Sequence, residues 1–218
     1  MYGSHLLVII LLAISSNLDN VGIAAAYGTR KVAIPFNSNV LIAIVTGIGT
    51  LLSIMVGKGI YWILKPGLAN FIGASIIIGA GIWVTVQETI FRSRNSSDDE
   101  QCKAVGADAD SKPLLTKVLM ILNNPFVADR DFSGSIDIRE GFLLGLALTL
   151  NNIPNGVGAG MIGLSPALTT SFVFVFSIMT IWIGIKAGHY FGSHLFGRLA
   201  GPVSGLLLIA VGVYEIFS

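Results

Sequence analysis

Charge is what this sequence has least of. Only 11% of the 218 residues are Asp, Glu, Lys or Arg, whereas 53% are hydrophobic and mean hydropathy is +0.79. A soluble domain carries roughly 25% charged residues to cover its surface, so a water-exposed globule is excluded. Net charge is +1, which leaves no electrostatic basis for nucleic-acid binding. The one cysteine, Cys102, excludes an intrachain disulfide. Of the three histidines, His189 and His194 lie beyond the fifth apolar run and share no helical face with a carboxylate, and no His/Cys metal set occurs within the spans. No nucleophile–base pair and no nucleotide-binding loop occurs, and an enzyme is not expected. The first apolar run lacks a basic leading segment and a small-residue cleavage site, and is expected to be a retained helix.

Long apolar runs fill the chain, near 5–27, 39–57, 68–90, 141–163, 167–187 and 200–217. Each is about long enough to cross roughly 30 Å of hydrocarbon as a helix. The expected fold class is therefore an all-α membrane protein of six transmembrane helices. The long hydrophilic stretch falls between the third and fourth runs. Its first part, Arg94 to Ser111, is polar and small-residue-rich and reads as a disordered linker. Lys112 to Leu122 then puts Leu115, Val118, Leu119 and Leu122 on one face, the pattern of a short amphipathic helix on a membrane surface. Of the 13 Lys and Arg, 11 fall on the side of that stretch, and only Lys58 and Lys65 on the other. Both termini are therefore expected outside and residues 92–139 in the cytoplasm of a bacterial inner membrane.

Sliding the chain by 131 or 132 positions matches it to itself. Leu18-Asp19-Asn20-Val21 falls on Leu150-Asn151-Asn152-Ile153, Gly57 on Gly188, Leu68-Ala69 on Leu199-Ala200, and Gly81-Ile82-Trp83 on Gly212-Val213-Tyr214. Three spans per half is an odd number, so the second half must cross the membrane in the opposite sense. The expected organisation is two inverted three-helix repeats, residues 1–91 and 140–218, joined by a cytoplasmic linker, 92–139, with substrate bound where the halves meet.

Asp19 falls in the middle of the first run and Asn151 and Asn152 in the middle of the fourth. A carboxylate at that depth costs roughly 2.5–3.5 kcal/mol on insertion scales, so it faces the bundle interior and serves a function. Asp19, Asn20, Asn151, Asn152 and Asn155 make an all-oxygen set, suited to a hard divalent cation, with Mn²⁺ favoured over softer metals. Pro154 removes one amide donor and clashes with the carbonyl of Leu150, so Asn151 to Gly156 is expected to be kinked or partly unwound. Thr46, Thr50, Ser53, Ser171, Ser177 and Thr180 either extend the pathway or bond neighbouring helices. Glu88 and Glu215, near run ends, are expected to snorkel to the interface. His189 and His194 are not expected to be ligands.

A second motif lies in the linker. Asp129, Asp131, Ser133, Ser135, Asp137 and Glu140 occupy positions 1, 3, 5, 7, 9 and 12 of an EF-hand loop, with Gly134 at 6 and Ile136 at 8. Ca²⁺, or Mn²⁺, is the cofactor this loop would take; transport itself needs none. Pro125 interrupts the incoming helix, and the loop reads equally as a structural clamp or a sensor.

These residues carry a resemblance to the MntP/YtaF family of small bacterial membrane proteins within the LysE exporter superfamily, and most closely to its YtaF-like branch. The carriers are Leu18-Asp19-Asn20-Val21-Gly22, Tyr27-Gly28-Thr29-Arg30, Ile34-Pro35, Ala128-Asp129-x-Asp131-x-Ser133-Gly134, and Gly145-Leu146-Ala147-Leu148 with the Gly-rich segment to Gly163. The resemblance implies a six-helix fold and, for the MntP branch, Mn²⁺ export. The family pattern has an acidic residue in each half; Asp19 matches the first, and Asn151 stands in place of the second. Export of a divalent cation against 100 mV costs about 4.6 kcal/mol, so proton antiport through Asp19 is the expected coupling. Two other readings stay open: an accessory membrane protein whose loop reads Ca²⁺, and an exporter of another small cation, for which an aromatic cage is lacking. The expected partners are a divalent metal ion and membrane lipid, with a homo-oligomer left open.

Overall fold

The computed structural model describes residues 2–91, 113–129, 131, 133–191 and 193–217. The linker at 94–111 lies outside the described residues, as do the side chains of Glu88 and His194. Seven α-helices are described: α1 Tyr2–Thr29, α2 Phe36–Ile63, α3 Pro66–Phe91, α4 Leu114–Asn123, α5 Ile138–Met161, α6 Pro166–Phe191 and α7 Ser193–Phe217. A 3₁₀ turn, Pro125–Ala128, leads from α4 into the acidic loop, which is where Pro125 was expected to interrupt the incoming helix. Prolines open several elements, with Pro66 and Pro166 at first helical positions and Pro35 just before α2. A missing amide hydrogen costs nothing there, because those donors have no intrahelical partner.

Five of these helices are long and apolar enough to cross a membrane, over Leu6–Thr29, Phe36–Ile63, Gly67–Val86, Pro166–Tyr190 and Ala200–Phe217. The chain is thus an all-α, multi-pass membrane protein by helix composition. Helix α5 is not among the five. Its 24 residues rise about 36 Å, but Arg139, Glu140 and the Asn151–Asn155 polar run dilute its apolar character.

Each long helix packs along two others, in the cyclic order α1, α6, α2, α5, α3, α7, and α1 also meets α5 across the ring. Small residues let the backbones touch. A Cβ on Gly57 would strike the Val157 carbonyl, and one on Gly188 would strike the Ala25 carbonyl. Gly160 sits against Ile54 and Lys58 as Gly28 sits against Ile185 and His189, and Gly81 against Gly205 and Ile209 as Gly212 against Ala74 and Ile78. In every pair both partners are displaced by 131 or 132 residues. Contacts between α2 and α5 rise together in number (Gly49 with Thr149, Ser53 with Gly156), so these helices run parallel. The α2–α6 contacts run in opposite order, Asn39 with Ile178 and Gly47 with Thr170.

Two apolar clusters close the bundle, one at each end. One joins Ala24, Tyr27, Ile42, Ile136, Leu144, Leu148 and Ile181; the other joins Ile9, Leu12, Ile54, Ile77, Ala159 and Leu208. Between them Ser16, Asp19, Asn20, Thr50, Asn152 and Asn155 are buried.

Three expectations are corrected. Helix α5 continues through Pro154 without unwinding. The ring of Pro154 points to an exposed side of the helix, while packing against α2 and α3 holds the flanking turns. Glu215 does not snorkel: it is 6% exposed, because it extends the buried stripe Leu208, Val211, Gly212 that α7 turns to α3, where Asn70 Nδ2 donates to the Glu215 backbone carbonyl (3.1 Å). Helix α4 turns Val118 and Ile121 into the protein against α5, whereas Leu115 and Leu119 of the predicted stripe stay exposed.

Candidate functional site

Asp19 is 7% exposed, and its carboxylate accepts from two sides: the Asn20 amide N–H at 2.9 Å, and the side-chain amide of Asn151 on α5. The expected Asp19–Asn151 association is therefore present, and it bonds residues 132 apart in sequence. Asn20 Nδ2 donates to Asn17 Oδ1 (3.2 Å), and Asn17 Nδ2 donates to the Ala13 carbonyl (2.8 Å), which fixes the Asn20 amide while leaving its oxygen free. The buried amide oxygens of Asn20, Asn152 and Asn155 have no hydrogen-bond partner. Such groups cost roughly 1–3 kcal/mol each when unsatisfied, a cost a bound cation would offset. Thr46 Oγ donates to the Ile42 carbonyl (3.0 Å) and meets Ser177 Oγ at 3.4 Å, so these two hydroxyls join α2 to α6. Ser171 is exposed on the outer face.

The acidic loop is the second candidate. Carboxylate oxygens of Asp129, Asp131 and Glu140 all lie within 4.8 Å of one another. Ca²⁺ binds oxygen at about 2.4 Å, so three oxygens with that spread can share one ion. The loop is held open for them by its own backbone. Ser133 N–H donates to Asp129 (3.1 Å) and Asp131 (3.0 Å), Gly134 N–H to Asp129 (3.2 Å), and Gly134 takes the positive φ of 73° that its position requires. Ser133 Oγ donates to the Ser135 carbonyl at 2.9 Å, bringing positions 5 and 7 together. Asp137 caps α5, accepting from Glu140 N–H at 2.8 Å while Glu140 Oε2 accepts from Asp137 N–H at 3.1 Å, a capping box.

Burial pushes the Asp129 carboxyl above its usual range, the Gly134 amide opposing and the neighbouring Asp131 charge adding. The Ser133 side chain and amide hold Asp131 below the usual range. Both the burial and the like-charge repulsion are what a cation would relieve.

The sequence does not reveal what grips this loop. Ala33, between α1 and α2, forms a parallel bridge with Ser135: Ala33 N–H donates to the Gly134 carbonyl (2.8 Å) and Ile136 N–H to the Ala33 carbonyl (2.9 Å). Ile136, fully buried, enters the apolar cluster with Tyr27 and Leu144. Loop position 8 therefore ties the α1–α2 connection to the start of α5. No residue pattern near Ala33 signals this bridge, which is made by backbone alone.

Fold and site together define a multi-pass, all-α membrane protein with an acidic group that can hold a metal ion. Over 208 residues the chain is 30% identical to a protein of Bacillus subtilis (strain 168) named "Probable sporulation protein YtaF", covering 95% of this chain and 98% of that one. The chain belongs to the YtaF-like family. No family model and no solved structure matches it.

Proposed function

We propose that the chain is a secondary transporter that moves a divalent cation, Mn²⁺ foremost, out of the cytoplasm through a site at Asp19, Asn20, Asn151, Asn152 and Asn155. The observation that carries this reading is the Asp19–Asn151 bond, flanked by buried amide oxygens that have no partner. The Asn151 amide donor lies against the Asp19 carboxylate where a cation would bind. Six spans are part of this reading, with α5 as the polar, central one. So are two inverted three-helix halves, which the contacts displaced by 131 or 132 residues support. The basic-residue bias supports outer termini and a cytoplasmic 92–139 segment.

Asp19 binds the cation ionised and takes up a proton when the site faces outward. One carboxylate exchanges one proton for two charges, so the exchange is electrogenic and needs an outward metal gradient or a second titrating group. The test is Mn²⁺ uptake into inverted vesicles under an imposed pH gradient. Wild type is expected to accumulate Mn²⁺ and Asp19→Asn to lose that uptake; equal uptake by both overturns the reading.

A second reading is favoured by the loop: a Ca²⁺-responsive accessory protein without transport, in keeping with the sporulation name of the relative. It expects Asp129→Ala to abolish function and Asp19→Asn to be silent, the reverse of the first reading.

A further inference from the structure

Hydroxyls inside apolar helices ordinarily donate to the carbonyl four residues back, and most in this bundle do. Ser15 donates to Leu11 (2.6 Å), Thr46 to Ile42 (3.0 Å), Ser53 to Gly49 (2.8 Å), Thr149 to Gly145 (2.8 Å) and Thr180 to Phe176 (2.8 Å). Thr50 and Ser16, each 4% exposed, break the habit, as do Thr169 and Thr170 near the start of α6: none of these hydroxyls has a partner, and of the four only Thr50 and Ser16 lie level with the buried amides. Each sits near a serine that does bond normally, Ser53 one turn along from Thr50 and Ser15 next to Ser16. Backbone geometry is therefore not the obstacle.

Their places in the fold coincide with the buried amides. At 100° per residue, Ser16, Asp19 and Asn20 share an arc of about 100° on α1, away from the partly exposed Leu18. Thr50 lies on the turn of α2 bracketed by Gly49, which touches Thr149, and Ser53, which touches Gly156, so it is level with the Asn151–Asn155 turn of α5. The positions 131 and 132 residues away are Ile181 and Leu148, both buried in the apolar cluster that also holds Ile136. The two hydroxyls thus stand where the opposite half has hydrocarbon.

We propose that Ser16 and Thr50 are ligands of the transported cation, completing a set of six oxygens with Asp19, Asn20, Asn152 and Asn155. This rests on the transport-site reading above and extends it to a third helix, α2. Six hard oxygens with one formal charge match a six-coordinate divalent cation such as Mn²⁺ and disfavour Zn²⁺ and Cu²⁺, which draw on nitrogen and sulfur. The site is displaced from Asp19 toward the end of the bundle remote from the acidic loop.

Mn²⁺ binding to the full chain in nanodiscs tests this, with free Mn²⁺ read by its EPR signal and Glu140→Gln as the parent, so that the loop does not contribute. Thr50→Val and Ser16→Ala are each expected to weaken Mn²⁺ binding about tenfold, Thr50→Ser to stay within about threefold, and Asp19→Asn to abolish it. If Asp19→Asn abolishes binding while Thr50→Val and Ser16→Ala bind like the parent, the hydroxyl assignment fails and the Asp19 site stands. A parent that binds no Mn²⁺, or an Asp19→Asn variant that binds as the parent does, overturns both. Thr50→Val conserves shape, and an unchanged melting temperature in that variant excludes misfolding as the cause of a loss.

Discussion

Glu140 carries two duties that a single substitution separates. Its side chain closes the capping box of α5 by accepting from Asp137 N–H, and it supplies an oxygen to the Asp129–Asp131 cluster. Glutamine keeps the first duty, since its carbonyl oxygen accepts equally well, and removes the charge and the bidentate geometry needed for the second. With Ca²⁺ at a hundred times its dissociation constant, binding to the native state alone stabilises the wild type by about 2.7 kcal/mol. A hundredfold loss of affinity in Glu140→Gln would leave about 0.4 kcal/mol at the same Ca²⁺. For a chain of this size the difference corresponds to a shift on the order of 5–10 °C in melting temperature. The assay is thermal unfolding in detergent with Ca²⁺ or with chelator. Asp137→Ala is the counterpart: Asp137 caps the helix and is not among the three clustered carboxylates, so this variant should lose about 1 kcal/mol in either condition while keeping most of its Ca²⁺ response. An equal Ca²⁺ shift in wild type and Glu140→Gln would refute the ligand role of Glu140. Loss of the Ca²⁺ response in Asp137→Ala would refute its restriction to capping.

Two further outcomes follow from backbone contact and helix continuity. Gly57→Ala and Gly188→Ala should each cost about 1–3 kcal/mol in a denaturant titration, because the new methyl meets a backbone carbonyl, whereas Gly79→Ala, with nothing within 4 Å, should be neutral or stabilising; a neutral result at both Gly57 and Gly188 would contradict the close crossing. Pro154→Ala should stabilise α5, by up to about 3 kcal/mol, because it restores the hydrogen bond to Leu150 in a helix that is already continuous, and a destabilised variant in the same titration would mean that the proline shapes the helix.

Much of the architecture was legible because lipid permits few solutions. An apolar run with no water to satisfy its backbone has to be helical, so run lengths and Gly/Pro punctuation located the long helices to within seven residues at every end. The Asp19–Asn151 contact was legible for a different reason: the self-match of the sequence at 132 positions pairs these two residues, and they meet between α1 and α5. Sequence failed where tertiary packing overrode local chemistry. Pro154 looked like a break, yet packing along α2 and α3 holds the helix through it. Glu215 looked interfacial, and its position in the α3-facing stripe buries it. In the acidic loop, the ligand spacing was readable and the Ala33 bridge was not, because a backbone hydrogen bond between segments about a hundred residues apart leaves no mark on side-chain identity. The free hydroxyls of Ser16 and Thr50 were equally silent, since a serine that bonds its own helix and one that does not are the same letter.

If the halves are inverted copies, exchanging their conformations converts a site open to one face into a site open to the other. With identical halves the two states would have equal energy, and the protein would have no preferred resting face. The preference must then come from the positions where the halves differ. Four such differences lie along the helices: Ser16 opposite Leu148, Asp19 opposite Asn151, Tyr27 opposite Ala159, and Thr50 opposite Ile181. The fifth is the largest, because the Ala33–Ser135 bridge and the buried Ile136 sit at one end only and join the α1–α2 connection to the start of α5. Opening that end would separate two backbone hydrogen bonds and expose an isoleucine, at a cost of a few kcal/mol, and an ion bound by Asp129, Asp131 and Glu140 would add its binding energy to the same barrier. On the transport reading proposed above, the acidic loop would then set the resting state of the central site without touching its cation.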